Sequence, residues 1–442
     1  MIKQLGTFLL VMVLSIPPAR ASEAWKVMTW DECLAESKKN HPDLISAEEV
    51  VKGQKAGKGI AVSGLLPQIN ASAGISRTRT GGASGSSSNF SSGSSSVSGG
   101  SSRKTVDQYS YGINGTQLLF DGFKTANGVS AASQNVNAAK ENFKFVSSTI
   151  RFNLRSAFVN LLSAQELIKV SREIVKIRKD DYDLITLRYQ SGLEHKGALL
   201  TSESNLVAAN VELSKAERAL TLAQRQLTKE MGREEFTPMY VRGDFLVRDT
   251  SREQPDLERL AKNNPSLLQA IAKKNSALFT LKSTYGAFSP VLSGSAGADK
   301  TDTRWPPKKD AWDMGLTLSM PIFEGGLRLA QVQQAEAAYK QAEADERSAR
   351  DGIIVKMEQA WVKLQDAVET VSVQAKSLEA AEMRSKIAEA QYSTGFITFD
   401  NWIIIENDLV TAKKAFLAAQ ADALLTEAGW IQSKGETLEY AE

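Results

Sequence analysis

The side chains that most often carry catalysis or bind metals are scarce in this chain of 442 residues. Its only histidines are His41 and His195, and its only cysteine is Cys33, so a histidine-based triad or a zinc site lacks its groups. The segment GQKAGKG, Gly53 to Gly59, has the composition of a phosphate-binding loop, but its glycine spacing is wrong and no Ser or Thr follows the lysine. We therefore predict that the protein is not an enzyme and holds no cofactor or metal.

Charge excludes a further class of function. The 53 basic and 51 acidic residues are interspersed, and the formal net charge is +2. No basic stripe is available to bind a phosphate backbone, so we expect no nucleic-acid partner.

The N-terminal segment has the features of an export signal. Lys3 precedes an apolar run, and Ala19-Arg20-Ala21 has the small residues of a cleavage site, which predicts a signal peptide over residues 1–21. No later segment offers the about eighteen uncharged apolar residues of a membrane-spanning helix. Any membrane insertion must therefore use strands.

Two copies of one unit follow the signal. NHPDL, from Asn40, returns as NNPSL at Asn263, an offset of 223 residues, whereas YQSGL, from Tyr189, returns as YSTGF at Tyr392, an offset of 203. The Ser-rich segment 81–102 of the first copy has no equivalent in the second, which explains the change of offset. We predict a tandem duplication, with a first repeat over 22–238, a linker over 239–256 and a second repeat over 257–442.

Each copy contains two segments with the two-residue period of strands. The clearest runs from Trp312 to Ile322, where large apolar residues alternate with Asp313, Gly315, Thr317 and Ser319. We predict strands at about 68–79 and 107–119 in the first copy and at about 291–300 and 311–322 in the second. Each has roughly the nine to eleven residues that cross a bilayer at a tilt.

Long helical patterns follow each strand pair. Apolar residues step by three or four along one face between Phe143 and Ile168, and Gly192 and Gly395 each mark a turn between two helices. We predict helical hairpins over 123–232 and 326–432. The run from 123 to 188 would be about 100 Å long at the helical rise, which is typical of a coiled-coil rod.

Four strands cannot close into a barrel alone, and open edges would leave unsatisfied backbone groups in lipid. We therefore expect an obligate oligomer. Both strand pairs connect to helices at their outer ends, so all the helices lie on one side of the membrane and the loops within the strand pairs lie on the other. Because the predicted signal exports the chain through the inner membrane, we expect the helices in the periplasm and loop 81–102 outside the cell.

Four aromatic residues belong to or flank the predicted strands: Tyr109, Tyr111, Trp305 and Trp312. They could form an aromatic belt at the membrane interface, or they could simply pack in the sheet.

With these motifs in order, the chain resembles the TolC-like outer membrane efflux protein family. The resemblance covers essentially the whole chain after the signal and depends on NHPDL, LLPQINASAG, the turns FDGF and FEGG, and the glycine hairpins RYQSGL and QYSTGF. It implies a mainly α fold with a β-barrel, in which three protomers close twelve strands, continued by a periplasmic helical tunnel. It also implies a passive exit duct for efflux or type I secretion.

The resemblance also implies partners and sites. The partners would be two further copies of this chain, outer membrane lipid, a periplasmic adaptor (membrane fusion) protein and an inner membrane pump of the RND, ABC or MFS type. The hairpin tips would meet the adaptor, although their glycines could simply end the helices. These tip residues are Ser191, Gly192, Leu193, Thr394, Gly395 and Phe396.

The resemblance places a periplasmic entrance just after the second tip. Tyr392 matches the family's latch tyrosine, but the family's arginine partner is Ile397 here, and its two aspartate positions are Asn401 and Ile404. Asp400 is the nearest carboxylate and could form a cation-attracting ring; the alternative is a solvated helix residue. Glu406 and Asp408 are expected to be surface charges.

A rival interpretation is a soluble periplasmic coiled-coil protein with structural or interaction roles and small β caps. It explains the long helices and the repeat, but not four bilayer-length strands flanked by aromatic residues. Dependence on detergent separates the two. The exported substrate is not readable from the sequence.

Overall fold

The computed structural model describes residues 26–80, 104–245 and 255–439; the predicted signal 1–21 and the Ser-rich loop 81–102 lie outside the described residues. The elements in chain order are β1 (Lys26–Met28), α1 (Trp30–Asn40), α2 (Pro42–Ser63), β2 (Gln68–Thr80), β3 (Lys104–Phe120), α3 (Lys124–Gln190), α4 (Lys196–Glu230), β4 (Met239–Val241), α5 (Leu257–Lys262), α6 (Pro265–Gly286), β5 (Val291–Asp302), β6 (Lys309–Ser319), α7 (Leu327–Ser393) and α8 (Phe399–Lys434). The predicted order of helix, two strands and helical hairpin in each copy is confirmed.

The chain divides into two compact units. The hairpin-end unit contains the described parts of residues 1–39, 154–246 and 373–421, and therefore both hairpin turns. The sheet unit contains the described parts of residues 40–153, 247–372 and 422–442, and therefore strands β2, β3, β5 and β6.

Proline divides the helical start of each copy into two helices. Pro42 opens α2 and Pro265 opens α6, because a residue before proline avoids helical geometry while proline suits the first helical position. The residue before each proline caps the new helix: His41 Nδ1 accepts from the Asp43 amide at 3.2 Å, and Asn264 Oδ1 accepts from the Ser266 amide at 3.0 Å. His41 is therefore a structural cap.

The sheet unit contains a four-stranded antiparallel sheet in the order β2-β3-β5-β6. Its central pairing, β3 with β5, joins the two copies, with Ile113 opposite Ala298. β6 ends at Ser319 instead of the predicted 322, because Pro321 has no amide to donate to a ladder. β3 begins at Lys104, three residues before the predicted start.

The hairpin-end unit packs α1 against α3 and α4 through a core that includes Cys33, Leu154, Leu161 and Leu227. Strands β1 and β4 form a parallel pair beside this core. The predicted linker 239–256 thus contains a strand, β4, which the sequence prediction missed because three residues are too few to show a period. The Gln165 side chain secures this strand by bonding both the amide and the carbonyl of Val241, at 2.8 and 2.9 Å.

Among the helices described, none combines the length and the apolar character needed to cross a membrane. Within the same residues, no group of three or more His, Cys, Asp or Glu side chains is placed to hold a metal ion.

Candidate functional site

The strand register of the sheet unit collects the large apolar side chains on one face. Residues directly opposite each other in a ladder point to the same side. The pairs Ala71–Ile113 and Ala298–Trp312 are therefore neighbours in one row. Members of this face are largely exposed in the protomer: Ile69 73%, Ile113 59%, Trp312 80%, Met314 79% and Leu316 73%. A continuous apolar sheet face of this kind requires a covering layer.

The opposite face of the same sheet is polar. Asn114 pairs with Asn70 on one side and with Gly297 on the other, and Gly297 in turn pairs with Asp313. Small hydroxyl and amide side chains make up most of this face: Gln68, Asn70, Ser72, Ser76, Ser110, Asn114, Thr116, Ser293, Ser295, Thr317 and Ser319. The sheet therefore has one side suited to hydrocarbon and one suited to water.

Three of the four aromatic residues predicted for an interfacial belt lie together. The rings of Tyr109 and Tyr111 contact that of Trp305 edge-on, at centroid distances of 6.2 and 6.5 Å. Trp312 lies on the same apolar face, opposite Ala298. Charged residues begin at the same level: Lys300, directly opposite Tyr111, has its Nζ 3.0 Å from Asp310, and in the row beyond Tyr109 Arg77 Nη2 is bonded to Asp107 at 2.8 Å. The aromatic cluster thus lies where the apolar face becomes charged.

A second group of exposed apolar residues, not predicted from the sequence, lies at the other end of the strands. Phe120 and Phe123 contact edge-on at 5.8 Å, and Ile322 and Phe323 are 95% and 88% exposed. The signal was present in the FDGF and FEGG motifs, whose phenylalanines flank turn glycines. Aromatic residues at both ends of an apolar band are typical of strands that cross a bilayer.

In the hairpin-end unit, both predicted tips are left-handed glycine turns. Gly192 has φ 72° and Gly395 has φ 81°, which a side chain would disfavour. The following amides close each turn: Leu193 bonds to the Arg188 carbonyl and Phe396 to the Gln391 carbonyl, both at 2.8 Å. Leu193 is 68% exposed and Phe396 84%, and Ser191 and Thr394 are also exposed. Each turn therefore presents an apolar side chain to its surroundings.

Tyr392, the matched latch position, is buried between the two tips. Its ring stacks on Trp402 at 4.5 Å with an interplanar angle of 5°, and its hydroxyl donates to Glu194 Oε2 at 2.7 Å. The Arg188 guanidinium lies 4.7 Å from the ring centre. Burial, together with the bond to the Glu194 carboxylate, raises the pKa of Tyr392 well above its usual range, so the phenol remains protonated.

Sequence reasoning missed both partners of Tyr392, because Glu194 and Arg188 belong to the first hairpin and meet the second only through tertiary packing. Ile397, the residue at the family's arginine position, packs partly buried against the same cluster. Near Glu194, His195 Nδ1 caps α4 by accepting from the Ala198 amide at 3.2 Å. The second histidine is thus also a structural cap.

The remaining entrance residues have different environments. Asp400 and Asn401 are exposed in the first turn of α8 and do not join the Tyr392 cluster, and Asp408 is exposed near Arg384. The expectation that Glu406 is a surface charge is wrong. It is only 4% exposed and accepts from Ser385 Oγ at 2.5 Å, because its position on α8 faces α7.

Comparison with known proteins places this arrangement in a family. The outer membrane efflux protein model matches residues 33–233 and 257–435. The chain belongs to the outer membrane efflux protein family. Members of this family are outer membrane channels, which are not enzymes, and the chain is accordingly an outer membrane protein whose helices lie in the periplasm.

Individual relatives are similar over most of the chain. The outer membrane efflux protein BepC of Brucella suis is 22% identical over 409 residues, 91% of this chain and 84% of that protein. Two solved structures show the same fold. A membrane protein from Pseudomonas aeruginosa has a TM-score of 0.82 at 16% identity and covers 92% of this chain and 90% of its own. The CmeC channel of Campylobacter jejuni has a TM-score of 0.79 at 17% identity and covers 93% and 87%.

Proposed function

We propose that three copies of this chain form the exit duct of a tripartite efflux pump or a type I secretion system. The observation that carries the proposal is the sheet with one apolar exposed face and two outer strands, β2 and β6, each of which pairs with a strand on one side only among the described residues. In lipid, these edges need partners, and strands of neighbouring copies can supply them. Three copies of four strands close a twelve-stranded barrel with the apolar face outward.

The polar face then lines the duct. Asn, Ser and Thr side chains would hold water inside the barrel, whereas the two aromatic groups would lie at the lipid interfaces. No bond-forming chemistry is needed for a passive duct. The energy for export would come from an inner membrane pump of the RND, ABC or MFS type, linked by a periplasmic adaptor.

The test of this assembly is the native mass of the protein after detergent extraction from the outer membrane. We expect the mass of three protomers together with bound detergent. A monomer that stays soluble without detergent would contradict the duct and would favour a periplasmic coiled-coil protein.

The two tips are the proposed docking surface for the adaptor. The exposed side chains of Leu193 and Phe396 are apolar residues at left-handed turns, where they can enter a groove on a partner without disturbing the helices. The docking surface comprises Ser191, Gly192, Leu193, Thr394, Gly395 and Phe396.

Site-specific cross-linking in cells tests the docking surface. A photoreactive residue at position 193 or 396 is expected to capture the adaptor. The same residue at Val207, which is 58% exposed on α4, is the control. Equal capture at all three positions would contradict tip-specific docking.

At the entrance, the Tyr392–Glu194 bond is proposed to hold the two hairpins together in the closed state, with Arg188 above the tyrosine ring. Asp400, exposed near the start of α8 beside Asn401, is proposed to contribute one carboxylate per protomer to a cation-attracting ring. Three like charges around a narrow axis would concentrate the field there.

A further inference from the structure

A partly open cavity of about 370 Å³ lies in the hairpin-end unit and is lined by α3, α7 and α8. Its lining carries an excess of carboxylates over lysines. The charged residues that face it are Glu173, Asp180 and Asp181 from α3, Glu382, Lys386 and Glu389 from α7, and Glu406 and Lys413 from α8. The cavity is thus a place where the first hairpin meets the second through ionisable groups.

Two of these carboxylates are buried within a single protomer. Asp181 is 8% exposed and Glu406 is 4% exposed. Glu406 accepts a hydrogen bond from Ser385 Oγ. Among the described residues of the lining, neither lysine forms an ion pair with the two buried carboxylates. Lys413 Nζ lies 2.5 Å from Glu173 Oε1, and Lys386 is exposed.

The buried cation beside the pair is Arg178, which is 5% exposed. One of its nitrogens lies 3.5 Å from Asp181 Oδ2, and another donates to Asn407 Oδ1 at 2.5 Å. On its other side Arg178 lines a second cavity, where Glu212 of α4 and Lys414 of α8 are the charged neighbours. Arg178 is therefore shared, and its contact with Asp181 is long.

Two buried carboxylates with one shared guanidinium favour a neutral form of one acid. Burial first and the charge of Glu406 second raise the pKa of Asp181, Arg178 opposes both, Glu389 adds a smaller rise, and together these effects bring the pKa to about 7. Asp181 is thus the acid of the pair that holds the proton.

We propose that Asp181 and Glu406 form a proton-binding site that fastens the first hairpin to the second in the hairpin-end unit. This goes beyond the proposed duct and would hold whether or not the protein conducts. With the proton bound, α3 packs against α7 and α8. Without it, the two carboxylates repel each other inside the protein and favour separation and hydration of the site.

The sign of the pH dependence follows from the two environments of Asp181. In the packed state it keeps its proton up to about pH 7, and in a separated, hydrated state it ionises near its ordinary value of 3.8. Between these values, separation becomes favoured by up to about tenfold per pH unit as pH rises. Above about pH 7 Asp181 is ionised in both states, so the ratio of separated to packed protein no longer changes with pH. The contact is therefore strongest in acid.

Hydrogen–deuterium exchange of the full-length protein in detergent tests the site. Wild type and Asp181→Asn are compared at the same pH, which cancels the intrinsic pH dependence of exchange. The measured quantity is the exchange rate of the wild type divided by that of Asp181→Asn, in peptides covering residues 175–190 and 399–410. We expect this ratio to increase on the order of tenfold or more from pH 5 to pH 8. Asp183→Asn, an exposed carboxylate on the same helix, should give an unchanged ratio.

A second variant, Glu406→Gln, tests the same site independently if Asp181→Asn does not fold. Glu406→Gln keeps the acceptor for Ser385 but removes the neighbouring charge, so the pH midpoint of exchange should move to lower pH. A pH-independent ratio for Asp181→Asn, an equal effect of Asp183→Asn, or an unmoved midpoint in Glu406→Gln would overturn the proposal. Because exchange needs no ion flow, a protein that fails to conduct would count against the duct alone.

Discussion

At the scale of single residues, burial separates side chains that are close in sequence. Asp400 and Glu406 are six positions apart on α8, so their side chains point about 120° apart around the helix. Asp400 is exposed, whereas Glu406 is buried against Ser385 of α7. Asp400 is therefore in contact with solvent, whereas Glu406 bonds to the neighbouring helix.

For the exposed carboxylate, Asp400→Ala should reduce the cation preference of reconstituted channels roughly twofold or more, because each protomer would lose the carboxylate that it contributes to the proposed ring. The measurement is the reversal potential across a bilayer in a salt gradient. Asp183→Ala, an exposed carboxylate on α3, should leave the potential unchanged. Unchanged potentials for Asp400→Ala would rule out the ring.

The Tyr392–Glu194 bond supports a second residue-scale prediction. Tyr392→Phe retains the stacking on Trp402 but removes a hydrogen bond to a charged group, which contributes about 1.5 kcal/mol or more. We expect about tenfold higher open probability in planar bilayers, and a similar change for Glu194→Gln. Tyr189→Phe, at an exposed tyrosine of the first tip, should behave as wild type. Identical opening in all three variants and the wild type would exclude a closing role.

At the scale of elements, the strands are defined by the contrast between their two faces. Leu316 lies on the apolar face and is 73% exposed in the protomer, whereas Thr317, the next residue, lies on the polar face. Neighbouring positions of one strand therefore meet opposite surroundings.

The contrast can be measured with a pair of lysine substitutions. Leu316→Lys should destabilise the membrane-embedded form by about 2–4 kcal/mol if this level lies near the bilayer centre, because a charge would face hydrocarbon. Thr317→Lys should cost much less, since its side chain faces water. The readout is the yield of assembled oligomer in the outer membrane. Equal yields for the two variants would show that the apolar face does not contact lipid.

At the scale of the whole molecule, the duplication appears as two strand pairs joined by the β3–β5 pairing. The second copy connects β5 to β6 through only Thr303–Lys308, whereas the first copy has the Ser-rich segment at the same place in the repeat. The short connection shows that the strand pair does not require a long one.

Exchanging the connections tests this equivalence. Replacing residues 81–103 by the sequence of Thr303–Lys308 should preserve the oligomer and its conductance, because the β2–β3 register from Gln68 to Thr80 does not depend on the replaced residues. Native mass and single-channel conductance are the measurements. Loss of assembly would show that the long segment has a structural role in the first copy.

Several features could be predicted from the sequence because they depend on local order. The two-residue period of β6, the apolar stripe of α3 and the glycine turns at Gly192 and Gly395 are all encoded by near neighbours. The repeat then indicated that the same elements occur twice, even for the small, Gly-rich β5, which has a weak pattern of its own.

Tertiary structure decided whatever depends on residues far apart in the chain. The register that aligns Ala298 with Trp312 and Ile113, the pairing of β1 with β4, and the bond from Tyr392 to Glu194 have no local signal. The same holds for Asp181 and Glu406, whose burial arises only when α3 packs against α7 and α8. Periodicity and turn chemistry in the sequence specify which elements form. Only the packed structure determined which side chains lose water, because desolvation depends on the neighbours that packing brings together.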